Sequence, residues 1–371
     1  MNILIIEPYF TGSHKTWAEG YKNNSKCDVE ILSLSGHYWK WRMHGGAVTL
    51  AKKYFEKKCS PDLIITSDML DLTTFLALTR AETYKTPVVL YMHENQLTYP
   101  WSEKDRDVKA GRDNHYGFIN YCTAMAANKI MFNSPFHLES FISALKPFLK
   151  GFPDNNELNT IELIKGKSSV LDLGLSLAKF DEFEPSEGNE NDVPYILWNH
   201  RWEYDKDPVS FFEALYHLHE KGMKFKVIIL GENFAQSPEE FNTAKERLGD
   251  KIVQFGYADD FEAYARWLWK ADIIPITSNQ DFFGGSAVEA IYCNTIPLLP
   301  DRLAYPMHIA NEYHPDYLYS GKEELILKLE LLIREFLLFK NPQLKKYVSK
   351  YDWKNMAPLY DVQFEELLLP K

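Results

Sequence analysis

The stretch DFFGGSAVE, residues 281–289, decides the fold that we predict for this chain. A short β-branched run, Ile273–Thr277, precedes it and predicts a strand buried in a parallel sheet. After Gly285 the apolar positions recur with helical spacing, so the local order is strand, glycine turn and helix. Open α/β sheets bind ligands beyond the carboxyl ends of their strands, at turns of this kind. The stretch therefore predicts both a doubly wound α/β sheet and a ligand site.

The residues of this turn have the chemistry of an anion site. Gly284 and Gly285 would let the backbone approach a ligand, and the N–H groups at the start of the helix would suit a phosphate. Asp281 and Glu289 bracket the turn, so two carboxylates can face one bound molecule. An alternative stays open here, because Ser286-x-x-Glu289 also matches a capping box and would make Glu289 a helix cap only.

Strand and helix patterns alternate along the chain, which predicts two domains. The first half opens with a strand at Ile3–Ile6, and the second opens with one at Tyr195–Trp198. The acidic residues 181–193 are the best candidate for a linker, and residues 151–168 are predicted to be a mobile connection. We predict two Rossmann-like domains that face a central cleft, with a C-terminal helix that packs back onto the first. The predicted bounds are 1–180, 181–344 and about 345–371.

The composition excludes several classes of protein. A net charge of −11 argues against a general nucleic-acid coat protein, although it allows a local basic face. Cys27, Cys59, Cys122 and Cys293 stand far apart, so no zinc site or disulfide framework is expected. No apolar stretch reaches the roughly 18 residues of a membrane span, and the amino terminus lacks the basic region of a secretory signal. We therefore expect a cytoplasmic protein that binds no membrane.

The second half carries two cations at the carboxyl end of its first predicted strand. Arg201 can make a forked contact to phosphate oxygens and Lys206 can supply a point charge, so together they suit a diphosphate. The alternative is a loop of surface ion pairs. Gly231 follows the next strand, where it could meet a nucleotide.

Two short acidic patterns match a metal-binding motif of some sugar transferases. They are Asp205-x-Asp207 and Asp105-x-Asp107. A match of three residues is common by chance, and the cations beside the first pattern would take the place of a metal. We therefore expect no metal site.

Polar residues also end two predicted strands of the first half. They are Gly12, Ser13, His14, His93, Glu94 and Asn95. His93 can exchange hydrogen bonds with a sugar hydroxyl and titrates near neutral pH. A single histidine is more often structural, but two polar groups at one edge of a sheet favour a function.

A run of aromatic and basic residues, Tyr38–His44, is the candidate acceptor surface, and it contains Trp39, Trp41 and Arg42. Residues 1–60 hold nine Lys and Arg against five Asp and Glu, so this part of an acidic chain is locally basic. Such a surface can stack an unpaired base and pair with phosphates. The alternative is an aromatic cluster that covers the edge of the core.

These motifs resemble a known family. Asp281 and Glu289, with the two upstream cations, are similar to the donor site of retaining glycosyltransferases of the GT-B fold, family 4. That family usually has Glu where this chain has Asp281. Longer motifs, from residue 1 to about 365, resemble the tRNA-queuosine mannosyltransferase family. Those motifs are Ile3–Glu7, Gly12–Lys15, Trp39–Arg42, His93–Pro100, Phe132–Ser134, His200–Pro208 and Phe282–Gly284.

The resemblance implies a cytoplasmic GT-B enzyme that moves mannose from GDP-mannose to the cyclopentenediol of queuosine in a tRNA anticodon. It implies that Arg201 and Lys206 stabilise the leaving diphosphate. It also implies that Asp281 binds sugar hydroxyls and that His93 orients the sugar. No cofactor or metal is implied. No carboxylate nucleophile is needed either, because the leaving diphosphate can act as the base in a same-face attack that retains configuration.

We expect the remaining site residues to divide between donor and acceptor. The expected donor contacts are Gly12, Ser13, Gly231, Phe283, Gly284, Gly285 and Glu289. The expected acceptor contacts are His14, Trp39, Trp41, Arg42, Glu94 and Asn95. The alternatives left open are a lipid or glycan acceptor, another hexose, a sugar-nucleotide epimerase of the same fold, and a non-catalytic protein that binds tRNA or nucleotide.

Overall fold

A computed structural model describes residues 1–102, 107, 114–186, 191–231 and 238–369. The chain divides into two compact units. The first is Met1–Leu175 with Trp353–Lys371, and the second is Ser176–Asp352. Each unit is built on one parallel six-stranded sheet with helices between the strands, so the predicted α/β class is confirmed.

The sheet of the first unit has the strand order β2-β1-β3-β4-β5-β6. The strands are β1 Asn2–Phe10, β2 Asp28–Ser35, β3 Leu63–Ser67, β4 Val88–Met92, β5 Lys129–Phe132 and β6 Ser168–Val170. Every residue of β3 and β4 is buried, because helices cover both faces of a parallel sheet. The polar residues that follow these strands therefore come together at one edge of the sheet.

The helices of the first half are α1 Gly12–Asn24, α2 Trp39–Lys57, α3 Leu72–Thr83, α4 Asn114–Ala126, α5 Pro135–Lys150 and α6 Thr160–Gly166. Asp71 caps α3 by accepting from the backbone N–H of Thr74 over 3.0 Å. Two predictions were wrong here. The first strand continues from Ile6 to Phe10, since its pairing with β2 extends that far. Residues 151–168 contain α6, a helix too short to show a clear periodic pattern.

The sheet of the second unit has the strand order β12-β11-β10-β7-β8-β9. The strands are β7 Tyr195–Asn199, β8 Lys226–Leu230, β9 Ile252–Gly256, β10 Ile273–Pro275, β11 Ile296–Pro300 and β12 Leu318–Tyr319. The helices are α7 Pro208–Glu220, α8 Glu240–Leu248, α9 Phe261–Lys270, α10 Gly285–Tyr292, α11 His314–Tyr317, α12 Lys322–Glu335 and α13 Pro342–Val348. The predicted order of strand, glycine turn and helix is present as β10, the turn and α10.

The last helix, α14 Trp353–Glu365, belongs to the first unit and packs against α1. Tyr21 donates to Asp361 Oδ1 over 2.8 Å. The Trp353 ring lies so close to Gly20 that a Cβ there would be 2.0 Å from the indole nitrogen. This helix is shorter than the predicted one, because α13 lies in the second unit. Among the described residues, the helices all fall short of the length and apolarity that a membrane span needs.

Candidate active site

The turn between β10 and α10 requires glycine at one position. Gly284 has φ +87°, a left-handed conformation that glycine adopts without strain. A Cβ on Gly284 would also lie 2.8 Å from Cε1 of the buried Tyr305. The helix begins at the next residue, Gly285, so its first N–H groups lie directly after the turn.

The capping-box interpretation of this turn is wrong. Gly284 occupies the N-cap position, and no side chain caps the helix. Ser286 Oγ instead pairs with His200 Nδ1 over 2.9 Å. Glu289 Oε2 accepts a hydrogen bond from the Tyr264 hydroxyl over 2.7 Å. Glu289 is therefore held by α9 and not by its own helix.

Glu289 is a half-buried carboxyl group with unusual ionisation. Removal from water raises the pKa of Glu289 to about 7, although the hydrogen bond from Tyr264 opposes the shift. The same burial and the adjacent Glu289 raise the pKa of the Tyr264 hydroxyl well above its ordinary value. The Tyr264 hydroxyl thus stays a donor at physiological pH.

Lys206 is buried among three acceptors. Its Nζ is 3.0 Å from Asp281 Oδ2 and 3.2 Å from Asp205 Oδ2. It also donates to the carbonyl oxygen of Gln280 over 2.9 Å. Burial disfavours its charge, but the two carboxylates outweigh burial and raise the pKa of Lys206. Burial would raise the pKa of Asp281, but Lys206 and His200 outweigh it and hold that pKa below its usual value.

Tyr305 completes this ion-pair group by donating to Asp281 Oδ2 over 2.7 Å. Asp281 therefore accepts from Lys206 and Tyr305 on the same oxygen. The two side chains fix the carboxylate at the start of the glycine turn. Sequence reasoning placed Lys206 and Asp281 in one site but did not find Tyr305 or Gln280. Tyr305 lies beyond the end of its nearest strand, and Gln280 acts through its backbone carbonyl oxygen, which every residue has.

Arg201 and Gly231 lie at the ends of the neighbouring strands β7 and β8. Arg201 is half exposed, and its NH1 is 3.0 Å from Glu203 Oε2. Gly231 has φ +124°, and a Cβ there would lie 2.0 Å from the His200 carbonyl oxygen. This close approach demands glycine whether or not a nucleotide binds. Burial, with Lys206 nearby, lowers the pKa of His200 to about 4 and keeps that ring neutral.

Phe283 and the acidic pattern at 205–207 serve the structure of this site. Phe283 is buried against the rings of His308 and Tyr351. Because the side chain is buried, only the backbone of Phe283 could contact a sugar nucleotide. Its carbonyl oxygen already accepts a hydrogen bond from His308 Nε2 over 2.5 Å. Asp207 caps α7 by accepting from the backbone N–H of Ser210. In the other acidic pattern, residue 105 lies outside the described residues.

The first unit holds a second buried polar group, which we call the acid–imidazole cluster: Glu7, His14, Asp68, His93 and Glu94. Glu7 lies in β1 and His14 in the first turn of α1, and the other three follow β3 and β4. His14 Nδ1 is 2.9 Å from Glu7 Oε2, and the rings of His14 and His93 are 4.3 Å apart. Asp68 Oδ1 accepts from the backbone N–H groups of His93 over 2.7 Å and of Glu94 over 3.3 Å.

The electrostatics of the acid–imidazole cluster separate its two histidines. Burial would lower the pKa of His14, but Glu7 and the other carboxylates outweigh burial and raise it to about 9. Burial and the charge on His14 lower the pKa of His93 well below its ordinary value. Burial raises the pKa of Asp68 to about 7, against the opposing effect of His14. At neutral pH His14 is therefore the cation of the cluster and His93 is neutral.

Asparagine side chains hold the loops around the cluster. Asn120 donates to the Asp68 carbonyl oxygen over 2.8 Å and accepts from the backbone N–H of Gln96 over 2.7 Å. Asn133 donates to the His93 carbonyl oxygen over 3.0 Å. The predicted acceptor residue Asn95 uses its side-chain oxygen to close its own turn, accepting from Thr98 N–H over 3.0 Å.

Glu7, His14 and His93 could also hold a metal ion, because their ligand atoms lie within 4.8 Å of one another. Two imidazoles and a carboxylate are ligands that suit zinc and related ions. In the structure, His14 and Glu7 satisfy each other with a hydrogen bond. The predicted absence of a metal stays a prediction.

The residues of the predicted acceptor surface differ in their exposure to solvent. Trp39 is half-buried against Trp101 and Tyr116, which agrees with the core-edge alternative. Tyr38 and Trp41 are 80% and 63% exposed, so their rings are available for stacking.

The basic side chains of this surface have partners within the protein. Arg42 donates to the carbonyl oxygen and to Oγ of Ser35, each over 3.0 Å. Lys40 Nζ lies 2.6 Å from Asp107 Oδ2. Gly12 and Ser13, the predicted donor contacts of the first half, lie exposed at the start of α1.

Sequence reasoning missed two carboxylates of the acid–imidazole cluster. Asp68 directly follows the buried strand β3, just as His93 follows β4, and this position could have identified it. Glu7 was visible as an acid within an apolar strand, where it is fully buried. Charged groups are rarely buried without a partner, so an acid in such a run is a signal in itself.

Two family models match the chain. The model described as tRNA-queuosine alpha-mannosyltransferase N-terminal matches residues 2–175, and the model described as glycosyl transferases group 1 matches residues 179–350. A Drosophila melanogaster relative described as tRNA-queuosine alpha-mannosyltransferase is 32% identical over 373 residues. That match covers 97% of this chain and 95% of the relative.

Solved structures share the fold over nearly the whole chain. Sucrose-phosphate synthase from Thermosynechococcus elongatus has a TM-score of 0.70 at 13% identity and covers 99% of each chain. The N-terminal domain of Candida albicans trehalose-6-phosphate phosphatase has a TM-score of 0.72 at 13% identity and covers 98% of this chain and 96% of that one. At this identity the likeness shows the fold alone. Together with the curated relative, these comparisons show that the chain is a GT-B glycosyltransferase and belongs to the tRNA-queuosine alpha-mannosyltransferase family.

Proposed function

We propose that this protein transfers mannose from GDP-mannose to the cyclopentenediol of queuosine in a tRNA anticodon. The match to the Drosophila relative carries this proposal, because it spans 97% of the chain and so includes both groups of polar residues described above. A sugar nucleotide supplies an anionic diphosphate, and a modified nucleoside supplies hydroxyl groups. The second unit offers cations and the first offers buried carboxylates. The four cysteines are all free thiols, which suits the cytoplasm as the place of this reaction.

In the donor half of the proposal, Lys206 and Arg201 stabilise the departing diphosphate. An ammonium group has three N–H donors, and Lys206 already uses three acceptors. A phosphate oxygen would therefore replace one of them, and the backbone carbonyl of Gln280 is the uncharged candidate. The half-exposed Arg201 can supply a forked contact with less rearrangement. Charge that is in place before the reaction stabilises a developing anion most effectively.

Asp281 and Glu289 would bind the hydroxyl groups of the donor. The bonds from Lys206 and Tyr305 fall on Asp281 Oδ2, which leaves Oδ1 for a sugar hydroxyl. The bond from Tyr264 falls on Glu289 Oε2, which leaves Oε1 for a ribose hydroxyl. The N–H groups after Gly284 would contact a phosphate or the sugar.

Calorimetry with nucleotides tests the donor half. GDP should bind more tightly than UDP or ADP, and a chelator should leave that affinity unchanged. Equal binding of all three nucleotides would refute the guanine assignment. Loss of binding in the chelator would refute the metal-free mechanism.

Product analysis tests the acceptor half. Queuosine tRNA should gain a hexose, while a lipid extract or a free glycan offered in the same reaction should not. Accumulation of an altered free sugar nucleotide, without any glycosylated acceptor, would identify an epimerase and refute the transfer. Repeating the reaction with each GDP-hexose then identifies the sugar.

A further inference from the structure

Asp68 has a buried oxygen atom that no other described residue contacts with a hydrogen bond. The residue is 1% exposed, and its Oδ1 accepts the two backbone N–H groups that follow β4. Within the described part of the chain, Oδ2 has no hydrogen-bond partner. An unsatisfied buried carboxylate oxygen is costly, and native proteins rarely keep one without a reason.

The atoms around Asp68 show the same lack of partners. The buried Nε2 of His93 and the side-chain nitrogen of Asn95 also have none among the described residues. Ser67, the residue before Asp68, is also buried, and its Oγ has no partner in the part of the chain that the structure describes. These groups lie at or just after the carboxyl ends of the adjacent parallel strands β3 and β4, at the edge where such sheets bind ligands.

The charges of the acid–imidazole cluster indicate what kind of ligand is missing. Glu7 and Asp68 are both carboxyl groups, and His14 is a cation that acts on both of them. Within the described part of the chain, this cation does not supply Asp68 Oδ2 with a hydrogen bond. A ligand that carries hydrogen-bond donors, or a positive charge, would complete the cluster.

We infer that Asp68 binds the side chain of queuosine, with Oδ2 accepting a hydrogen bond from the amine or the ring hydroxyls of its aminocyclopentenediol. This inference rests on the proposed function. The queuosine side chain joins a secondary amine, which is protonated at neutral pH, to a ring with two adjacent hydroxyl groups. It therefore offers the donors and the positive charge that the acid–imidazole cluster lacks. Asp68 becomes a specificity-determining residue that distinguishes the modified anticodon from an unmodified one.

The variant Asp68→Asn tests this contact with little change of shape. Its amide oxygen can still accept the N–H groups of His93 and Glu94, so the loop after β4 keeps its support. Its amide nitrogen donates hydrogen bonds and cannot accept one, so it cannot replace Asp68 Oδ2 as the acceptor for the amine or the hydroxyls of queuosine. The control is Asp71→Asn, which removes a charge three residues away but keeps an N-cap for α3, because Asn and Asp cap equally well.

The measurement is the dissociation constant for three tRNAs that differ only at the modified nucleotide. One carries queuosine, one carries its aminomethyl precursor without the ring diol, and one carries guanine. D68N should lose about 10- to 150-fold in affinity for queuosine tRNA, the range expected for a hydrogen bond to a charged group. D71N and wild type should bind alike. If D68N loses affinity equally for the precursor tRNA, the contact is at the amine. If D68N loses affinity for queuosine tRNA alone, the contact is at the diol.

Two outcomes would overturn the inference. One is equal affinity of wild type for queuosine tRNA and guanine tRNA, a result that does not depend on whether D68N folds. The other is a folded D68N that binds all three tRNAs as D71N does. If wild type prefers queuosine tRNA but transfers no sugar to it, the proposed function fails while the contact at Asp68 stands.

Discussion

The two units both place buried charges at the carboxyl ends of parallel strands, but they balance them differently. In the second unit, the ammonium of Lys206 is paired with Asp205 and Asp281. In the first unit, Asp68 has one oxygen with no hydrogen-bond partner among the described residues. A buried charge that is already paired costs less stability than an unpaired one, and it is in place for chemistry. A buried acceptor without a partner costs stability until a ligand arrives. We interpret the first arrangement as preorganised for a leaving group and the second as a recognition site.

Removal of Lys206 should have the largest effect and would test the paired half of this comparison. Lys206→Ala should lower the rate of transfer about 100- to 1000-fold, as loss of one oxyanion donor does. It should also lower the free energy of unfolding by about 3–5 kcal/mol, because two buried carboxylates lose their cation. Single-turnover kinetics below the melting temperature, together with urea unfolding, measure both effects.

The control for this variant is Lys221→Ala, which breaks an exposed ion pair with Glu330 in the same unit. Such pairs contribute about 0–1 kcal/mol, so its stability and activity should stay near those of wild type. If Lys206→Ala keeps full activity, the diphosphate is stabilised elsewhere. If Lys206→Ala keeps the full free energy of unfolding, the ammonium group of Lys206 is not what compensates the buried charges of Asp205 and Asp281.

The pH dependence of stability sharpens the comparison at Glu289. Its pKa is about 7 in the folded protein and about 4.5 in an unfolded chain. Below the lower value the group is protonated in both states, and its contribution to stability is fully present. As the pH rises through the higher value, the unfolded state gains charge more readily and that contribution is lost. Glu289→Gln should therefore remove a decline of about 3 kcal/mol between pH 4.5 and 7.

Urea unfolding at several pH values measures this decline in wild type and variant. The difference between the two curves isolates Glu289 from the other carboxyl groups. Parallel curves would mean that Glu289 ionises normally in the folded protein. The same variant should weaken GDP binding if Glu289 contacts the ribose, and unchanged affinity would remove that role.

The exposed aromatic residues give the smallest predicted effect and extend the comparison to the protein surface. Trp41→Ala should weaken tRNA binding about 5- to 150-fold, because stacking contributes about 1–3 kcal/mol per base. Tyr84→Ala removes an aromatic ring that is 72% exposed in the same unit and serves as the control. Filter binding at fixed salt concentration measures both. Equal affinity of the two variants would assign the acceptor surface to another part of the first unit.

The sequence predicted the donor side of the fold well because its signals are local. A β-branched run, two glycines and a helical stripe follow one another within residues 273–291, and this order matches β10, the turn and α10. Arg201 and Lys206 could be placed because they lie in the loop that follows β7. The ion-pair partner Tyr305 lies far along the chain, in a segment without a strand pattern, and only the folded structure brings it to Asp281.

The acid–imidazole cluster shows the opposite limit. Its members come from β1, α1 and the ends of β3 and β4, and its chemistry depends on their mutual distances. Strand ends can be predicted from sequence, which explains why His14, His93, Glu94 and Asn95 were identified. The lack of a hydrogen-bond partner cannot be predicted from sequence, since it depends on the positions of all neighbouring residues. Likewise, the exposure of Trp41 and the burial of Trp39 depend on packing against α4, which a single run of aromatic residues does not reveal.

The most direct test of the account is transfer to a matched pair of tRNAs. The two molecules are identical except that one carries queuosine and the other guanine at the same anticodon position. Each is incubated with the enzyme and GDP-mannose, digested to nucleosides and analysed by mass spectrometry. The account predicts a queuosine nucleoside heavier by one hexose and no change in the guanine tRNA. Hexose on both tRNAs, or on neither while GDP-mannose is consumed, would contradict it.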